Sequence, residues 1–227
     1  MKLFFLGTGA ADWPIEKPAD YTEFRRLSSA IIDDVLLIDP GPQVPESLKT
    51  HGKDAGKVRY ILNTHDHGDH YNPATVAYLQ EQGAEFVTFL PGETKKLGNY
   101  TVTALQGNHG TCQGILHYII EDAQGKRLFY GLDGAWLLYE EVAAIQKNGV
   151  DYAILDATIG DVPGDYRIFE HNNLNMVLEM QRTLAPYVKK FAISHLARTL
   201  HTDHKTLVQA MAQYDIDVAC DGLEITI

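Results

Sequence analysis

Thr64-His65-Asp66-His67-Gly68-Asp69-His70 is the stretch on which the reading of this chain turns. Three histidines and two aspartates fall within residues 65–70. Imidazole and carboxylate together suit zinc, iron or manganese. Without a cation, such a cluster would set neutral rings and carboxylates competing for the same hydrogen-bond donors. Gly68 permits a tight turn that aims side chains on both sides of it at one point. Immediately upstream, Val58–Asn63 reads as a short apolar strand. Downstream, Asn72-Pro73 reads as a helix start, since Asn caps well and proline is tolerated at the first helical position. That helix is expected to run to about Gln82 and to stop at Gly83. The cluster therefore sits at a strand end, where functional side chains gather.

Outward from this centre, the first half is rich in short strands. Lys2–Leu6 is one. Ser29–Asp33 and Val35–Asp39 form a hairpin turning at Asp33-Asp34. Glu85–Leu90, Tyr100–Gln106, Ile115–Glu121 and Arg127–Tyr130 follow, the last two joined through Gln124-Gly125. The second half alternates helices and strands: Ala135–Lys147 helical, Tyr152–Asp156 extended, Asn172–Leu184 helical with Leu174, Val177, Leu178 and Met180 on one face, and Phe191–Ser194 extended. Asp203 caps a helix over Lys205–Tyr214, and Val218–Ala219 and Leu223–Ile227 close as strands. Two sheets covered by helices, an α/β layered sandwich, fit this order. No repeat or linker divides the sequence, so residues 1–227 read as one domain.

Composition narrows the function classes. The 227 residues are 45% apolar and 22% charged, ordinary for a globular chain. The net charge of −11 disfavours long nucleic acid as a partner. A small anionic substrate remains compatible, because a metal site dominates its local field. Cys112 and Cys220 lie far apart and outside any CxxC pattern, so they read as free thiols. The apolar run Leu3–Leu6 is too short for a signal-peptide core, which needs roughly 7–15 residues, and nothing approaches the roughly 20 of a membrane span. A cytoplasmic protein is expected, with no membrane partner, and a homodimer is left open.

His65-x-His67-x-Asp69-His70 resembles the signature of the metallo-β-lactamase superfamily. Leu6-Gly7-Thr8-Gly9-Ala10 is similar to the opening strand and turn of its phosphodiesterase and ribonuclease Z branch. The resemblance implies a four-layer αββα sandwich and a two-metal site, and it directs attention to His109, Asp133 and His195, each placed after an expected strand. By that resemblance His65, His67 and His109 hold one divalent ion, Asp69, His70 and His195 the other, and Asp133 bridges them. Zinc or manganese is implied, and iron is also compatible. A bridging carboxylate separates two cations by roughly 3.5–4 Å, the spacing two-metal hydrolases use. His171 matches the branch's non-ligand histidine that meets the phosphate or protonates the leaving group, and with Asp69 it completes the catalytic candidates. The implied activity is hydrolysis of small or cyclic phosphodiesters by a hydroxide bridging the metals. Alternatives on the same scaffold are a carboxyl-ester, lactone or thioester hydrolase, or a non-catalytic metal-dependent sensor. The interval between His109 and Asp133 is too short for the tRNA-gripping arm of ribonuclease Z. His201 and His204 are candidates for orienting a ligand, although His204 also reads as a helix-surface residue. His51 and His117 read as structural. The loop 12–26, with Trp13, Tyr21 and Phe24, is a candidate pocket wall.

Overall fold

The computed structural model describes residues 1–112 and 114–227, which form two compact units. The first comprises Met1–Thr88 and Ala219–Thr226. Its elements are β1 (Lys2–Gly7), β2 (Ser29–Ile32), β3 (Leu36–Ile38), α1 (Val44–Thr50), β4 (Tyr60–Leu62), α2 (Pro73–Glu81) and β5 (Glu85–Phe86). These strands lie in numerical order in one sheet, with the chain's last strand, Glu224–Thr226, antiparallel beside β1. β1, β2 and β3 are antiparallel neighbours; β3, β4 and β5 run parallel. Phe4 and Leu6 of β1, two apart and so on one face, join Ile31, Leu37 and Ile61 in a core with Val44, Leu48 and Leu79 of the two helices. The Asp33-Asp34 hairpin turn forms as expected: both residues take positive φ (49° and 60°), the pair of left-handed conformations that matches strand twist. Asn72 caps α2, its Oδ1 accepting from Ala74 N (2.9 Å) and Thr75 N (3.2 Å).

The second unit, Phe89–Val218 with Ile227, holds β6 (Thr94–Leu97), β7 (Tyr100–Gln106), β8 (Leu116–Glu121), β9 (Arg127–Gly131), α3 (Tyr139–Asn148), β10 (Val150–Asp156), α4 (Leu174–Leu184), β11 (Val188–Ser194), α5 (His204–Ala212) and β12 (Ile216–Val218). Its seven-stranded sheet keeps sequence order from β6 to β12. β6 to β9 form an antiparallel meander, and β9 to β12 run parallel. Parallel neighbours need crossovers, and α3, α4 and α5 supply them. Phe129, Leu155, Phe191 and Ile193 of the sheet pack with Ile145, Val177, Met180 and Leu207 of the helices. Since β7 and β9 each pair antiparallel with β8, they point the same way. The C-terminal ends of β7, β9, β10 and β11 therefore share one edge of this sheet.

Several expected boundaries shift. The helix expected from Ala135 begins only at Tyr139, because Trp136 takes a left-handed φ of 60° and donates its N–H to Asn172 Oδ1 (2.7 Å). The strand expected over Glu85–Leu90 is confined to Glu85–Phe86. α1 and β6 were not anticipated, α1 because its Pro-flanked sequence reads as loop. Among the described residues, no helix is long and apolar enough to cross a membrane. Phe129 is fully buried in the second unit's core. Phe129→Ala is expected to destabilise the protein by about 3–5 kcal/mol, read from the urea unfolding midpoint.

Candidate metal centre

In the first unit, β3 and β4 run parallel and end side by side. Asp39 follows β3, and Thr64 to His70 follow β4. Asp39 is fully buried. Its Oδ1 accepts from Thr64 N and from Thr64 Oγ1, both at 2.8 Å. Its Oδ2 accepts from His70 Nδ1 at 2.9 Å. With its own proton given to Asp39, Thr64 Oγ1 is left to accept from His65 Nδ1 (3.0 Å). Both rings are thus held at Nδ1, and Nε2 is left as the ligating atom. The His65 ring centroid lies 4.6 Å from that of His67 and 4.5 Å from that of His70. His70 Nε2 is 3.4 Å from Asp69 Oδ2. The four expected residues of this segment therefore converge. His70 N and Tyr71 N both donate to His67 O at 2.9 Å, closing the turn. Gly68 sits in that turn, but it is not among the glycines with positive φ. The glycine this loop depends on is Gly41, where an added Cβ would stand 2.6 Å from Asp69 O.

The second unit repeats the device. Asp156 ends β10 fully buried. Its Oδ1 accepts from Thr158 N (3.0 Å) and Asn172 N (3.0 Å), and its Oδ2 from Thr158 Oγ1 (2.9 Å). Thr158 Oγ1 in turn accepts from His195 Nδ1 at 2.7 Å. His171 Nδ1 donates to Asp156 Oδ2 at 3.0 Å and lies 3.4 Å from Asp133 Oδ1. Asp133, His171 and His195 come together with Asp156, each offering a donor atom within 4.8 Å of the others. His109, past the end of β7, donates from Nδ1 to Glu170 O (3.2 Å), and its ring lies 5.1 Å from that of His171. All four expected residues of this unit thus gather at the shared edge. His201 is tied to the same loop, Nε2 to Ala157 O at 2.6 Å, whereas His204 is the first residue of α5.

Burial would raise the pKa of Asp156, yet His171 and His195 hold its carboxyl below the usual range. Desolvation likewise works against charge on His171, but Asp156 and then Asp133 lift it above an ordinary histidine. Asp39, Asp133 and His195 take left-handed φ angles of 62°, 59° and 58°. Non-glycine residues rarely do so, and those that do concentrate at functional sites. Imidazoles held at Nδ1 beside buried carboxylates are a donor set that fits a borderline divalent cation.

Sequence reasoning placed Asp39 and Asp156 at strand ends without a role and did not connect Thr158 or Glu170 to the site. The available signal was an Asp closing an apolar run, in Leu36-Leu37-Ile38-Asp39 and Ala153-Ile154-Leu155-Asp156. A carboxylate at the end of a buried strand needs donors nearby.

The sequence model described as the metallo-β-lactamase superfamily matches residues 28–74. No curated protein matches the chain. Among solved structures, the chain is similar to the metallo-β-lactamase fold protein YhfI from Bacillus subtilis (16% identity, TM-score 0.75, covering 99% of this chain and 98% of that one). It is also similar to Zn²⁺-bound PqqB from Methylobacterium extorquens (15%, 0.74, covering 100% of each). A third likeness is to the short form of human tRNase Z (18%, 0.71, covering 100% of this chain and 99% of that one). At these identities the likeness is one of fold, and the fold is the α/β sandwich expected from the sequence.

Asn at position 39 or 156 would keep the shape but present an amide donor where the carboxylate must accept. Asp39→Asn and Asp156→Asn are each expected to weaken metal binding about 10–100-fold, measured by competition with a chromophoric chelator.

Proposed function

We propose that this chain belongs to the metallo-β-lactamase superfamily and is a metal-dependent hydrolase acting on small phosphodiesters. The family match and the clustered His and Asp side chains indicate the metal-dependent hydrolase. The substrate class is our reading. We assign His65, His67 and His109 to one divalent ion, Asp69, His70 and His195 to a second, and Asp133 to both. Zinc or manganese suits this set, and iron is compatible. The ions would supply Lewis acidity and bring the pKa of a water to roughly 7.

The observation that carries the choice of phosphorus is the setting of His171. Asp156 fixes its Nδ1–H, which leaves Nε2 for a substrate. The ring stands beside Asp133, the carboxylate assigned to both ions. A phosphodiester keeps a negative charge throughout its hydrolysis and gains more as the nucleophile arrives, so a protonated imidazole nearby favours its transition state. The same Nε2–H then meets the departing alkoxide, which needs a proton. A neutral carboxyl ester carries no such standing charge. The net charge of −11 opposes a long polyanion, which supports reading the substrate as a small molecule with few phosphates. Residues 116–131, between His109 and Asp133, are taken up by β8, a tight turn at Asp122–Lys126 and β9, with no inserted arm to grip RNA.

Protein loaded separately with zinc and manganese is expected to hydrolyse bis(p-nitrophenyl) phosphate, and chelator-treated protein is not. His171→Ala should lower turnover about 10²–10⁴-fold with metal content unchanged. Absence of turnover in protein shown to carry two ions would transfer the assignment to carboxyl esters, lactones or thioesters. Loss of metal in His171→Ala would make that residue a ligand.

A further inference from the structure

We propose that His117, paired with Glu141, is a positioning residue that sets the two loops bearing His109 and Asp133. The inference rests on the reading of those two residues as metal ligands. His117 lies in β8 and is 1% exposed; Glu141, in the first turn of α3, is fully buried. The ring bridges two elements. Nε2 donates to Leu132 O at 2.9 Å, next in sequence to Asp133. Nδ1 lies 2.5 Å from Glu141 Oε1. The other oxygen of Glu141 accepts from Leu138 N at 2.7 Å and so caps the helix. One carboxylate thereby ties the start of α3 to the ring, and the ring ties it to the Asp133 loop.

Both ligand loops are moulded on this ring. A Cβ at Gly107 would stand 2.9 Å from its Nε2 and Cε1, and one at Gly134 would stand 3.0 Å from Cε1. Gly107 is two residues before His109, and Gly134 directly follows Asp133. The loops are also bonded to each other, Ala135 N donating to Asn108 O at 2.9 Å and Asn108 Nδ2 donating to Ala135 O. The flat edge of His117 thus forms the floor on which the two segments meet. A carbonyl oxygen only accepts, so the Leu132 contact requires a proton on Nε2, and Glu141 on the far side fixes the ring plane. An apolar side chain of similar volume would fill the core without the desolvation of a buried ionisable pair. What it could not do is direct the Leu132 carbonyl, and with it the backbone from which Asp133 departs in its left-handed conformation. His117 reaches the Asp133 loop through the Leu132 carbonyl, so its influence there passes through backbone.

Three variants separate positioning from packing. Gln at 117 retains a donor at the reach of Nε2, Asn retains one at the reach of Nδ1, and Leu retains neither. The expected order of affinity for Co²⁺ is wild type, then His117→Gln, with His117→Asn and His117→Leu lower by on the order of 10–100-fold. The visible Co²⁺ absorption should change in the last two and be largely restored in His117→Gln. Amide hydrogen exchange at Ala135, measured without metal, should quicken in His117→Asn and His117→Leu and stay slow in His117→Gln. Equal losses in Gln and Asn variants, in proportion to their lowered Tm, would overturn the proposal, as would unchanged exchange and affinity in His117→Leu. If wild-type protein takes up no Co²⁺, the metal-site reading falls, and the positioning proposal falls with it unless the exchange ordering at Ala135 still holds.

Discussion

A buried carboxylate that must be fully hydrogen-bonded is the constraint on which this molecule is built, and one stands at the end of a parallel strand in each unit. Asp39 and Asp156 are both fully buried. Each is satisfied by the N–H and hydroxyl of a threonine and by histidine Nδ1 protons. Such a charge is tolerable in a protein interior only when its oxygens are filled by donors. Parallel strand ends provide the place. There the backbone leaves the ladder, and its amides become available to a side chain from the neighbouring strand. Thr64 N, just past β4, reaches back to Asp39 at the end of β3 in this way.

Strain accompanies the same positions. Asp39, Asp133 and His195 each turn left-handed within two residues of a strand end. Aspartate bears this conformation more easily than most side chains, and histidine less easily than glycine. Glycine at these sites would relieve the backbone and remove the donor atom. The conformational strain and the site chemistry therefore reside in the same residues, held by the hydrogen bonds around Asp39 and Asp156.

This division explains which parts were legible in the sequence. The metal-ligand candidates are dense or follow apolar strands, and strands announce themselves by β-branched and aromatic runs, so His65, His67, Asp69, His70, His109, Asp133 and His195 could be picked out by eye. The alternation of helices and strands in the second half of the chain was likewise visible. Asp39 and Asp156 were harder, because a lone Asp after a strand is also what a turn looks like. His117 read as structural, but its tie to the Asp133 loop was not legible: its partner Glu141 lies on a helix whose start was misplaced, and no periodicity reports a contact between β8 and the first turn of α3. That start was misplaced because Ala135 to Leu138 have acceptable helical propensity, while the tertiary bond from Trp136 N to Asn172 Oδ1 overrides it. Gly68 drew attention by its place in the motif, whereas the close approach that needs glycine is at Gly41, distant in sequence from the loop it admits.

Orientation through Nδ1 has a chemical consequence beyond geometry. An imidazole whose Nδ1–H is given to a carboxylate, directly or through a threonine hydroxyl, is a more basic ligand at Nε2. When Nε2 binds a cation, the ring draws electron density away from its N–H, and the bond to the carboxylate strengthens. The positive charge at the site and the negative charge behind it then stabilise each other across the ring. Asp39 and Asp156 are unfavourable charges in an interior considered alone, and they become favourable in proportion to the positive charge gathered in front of their histidines.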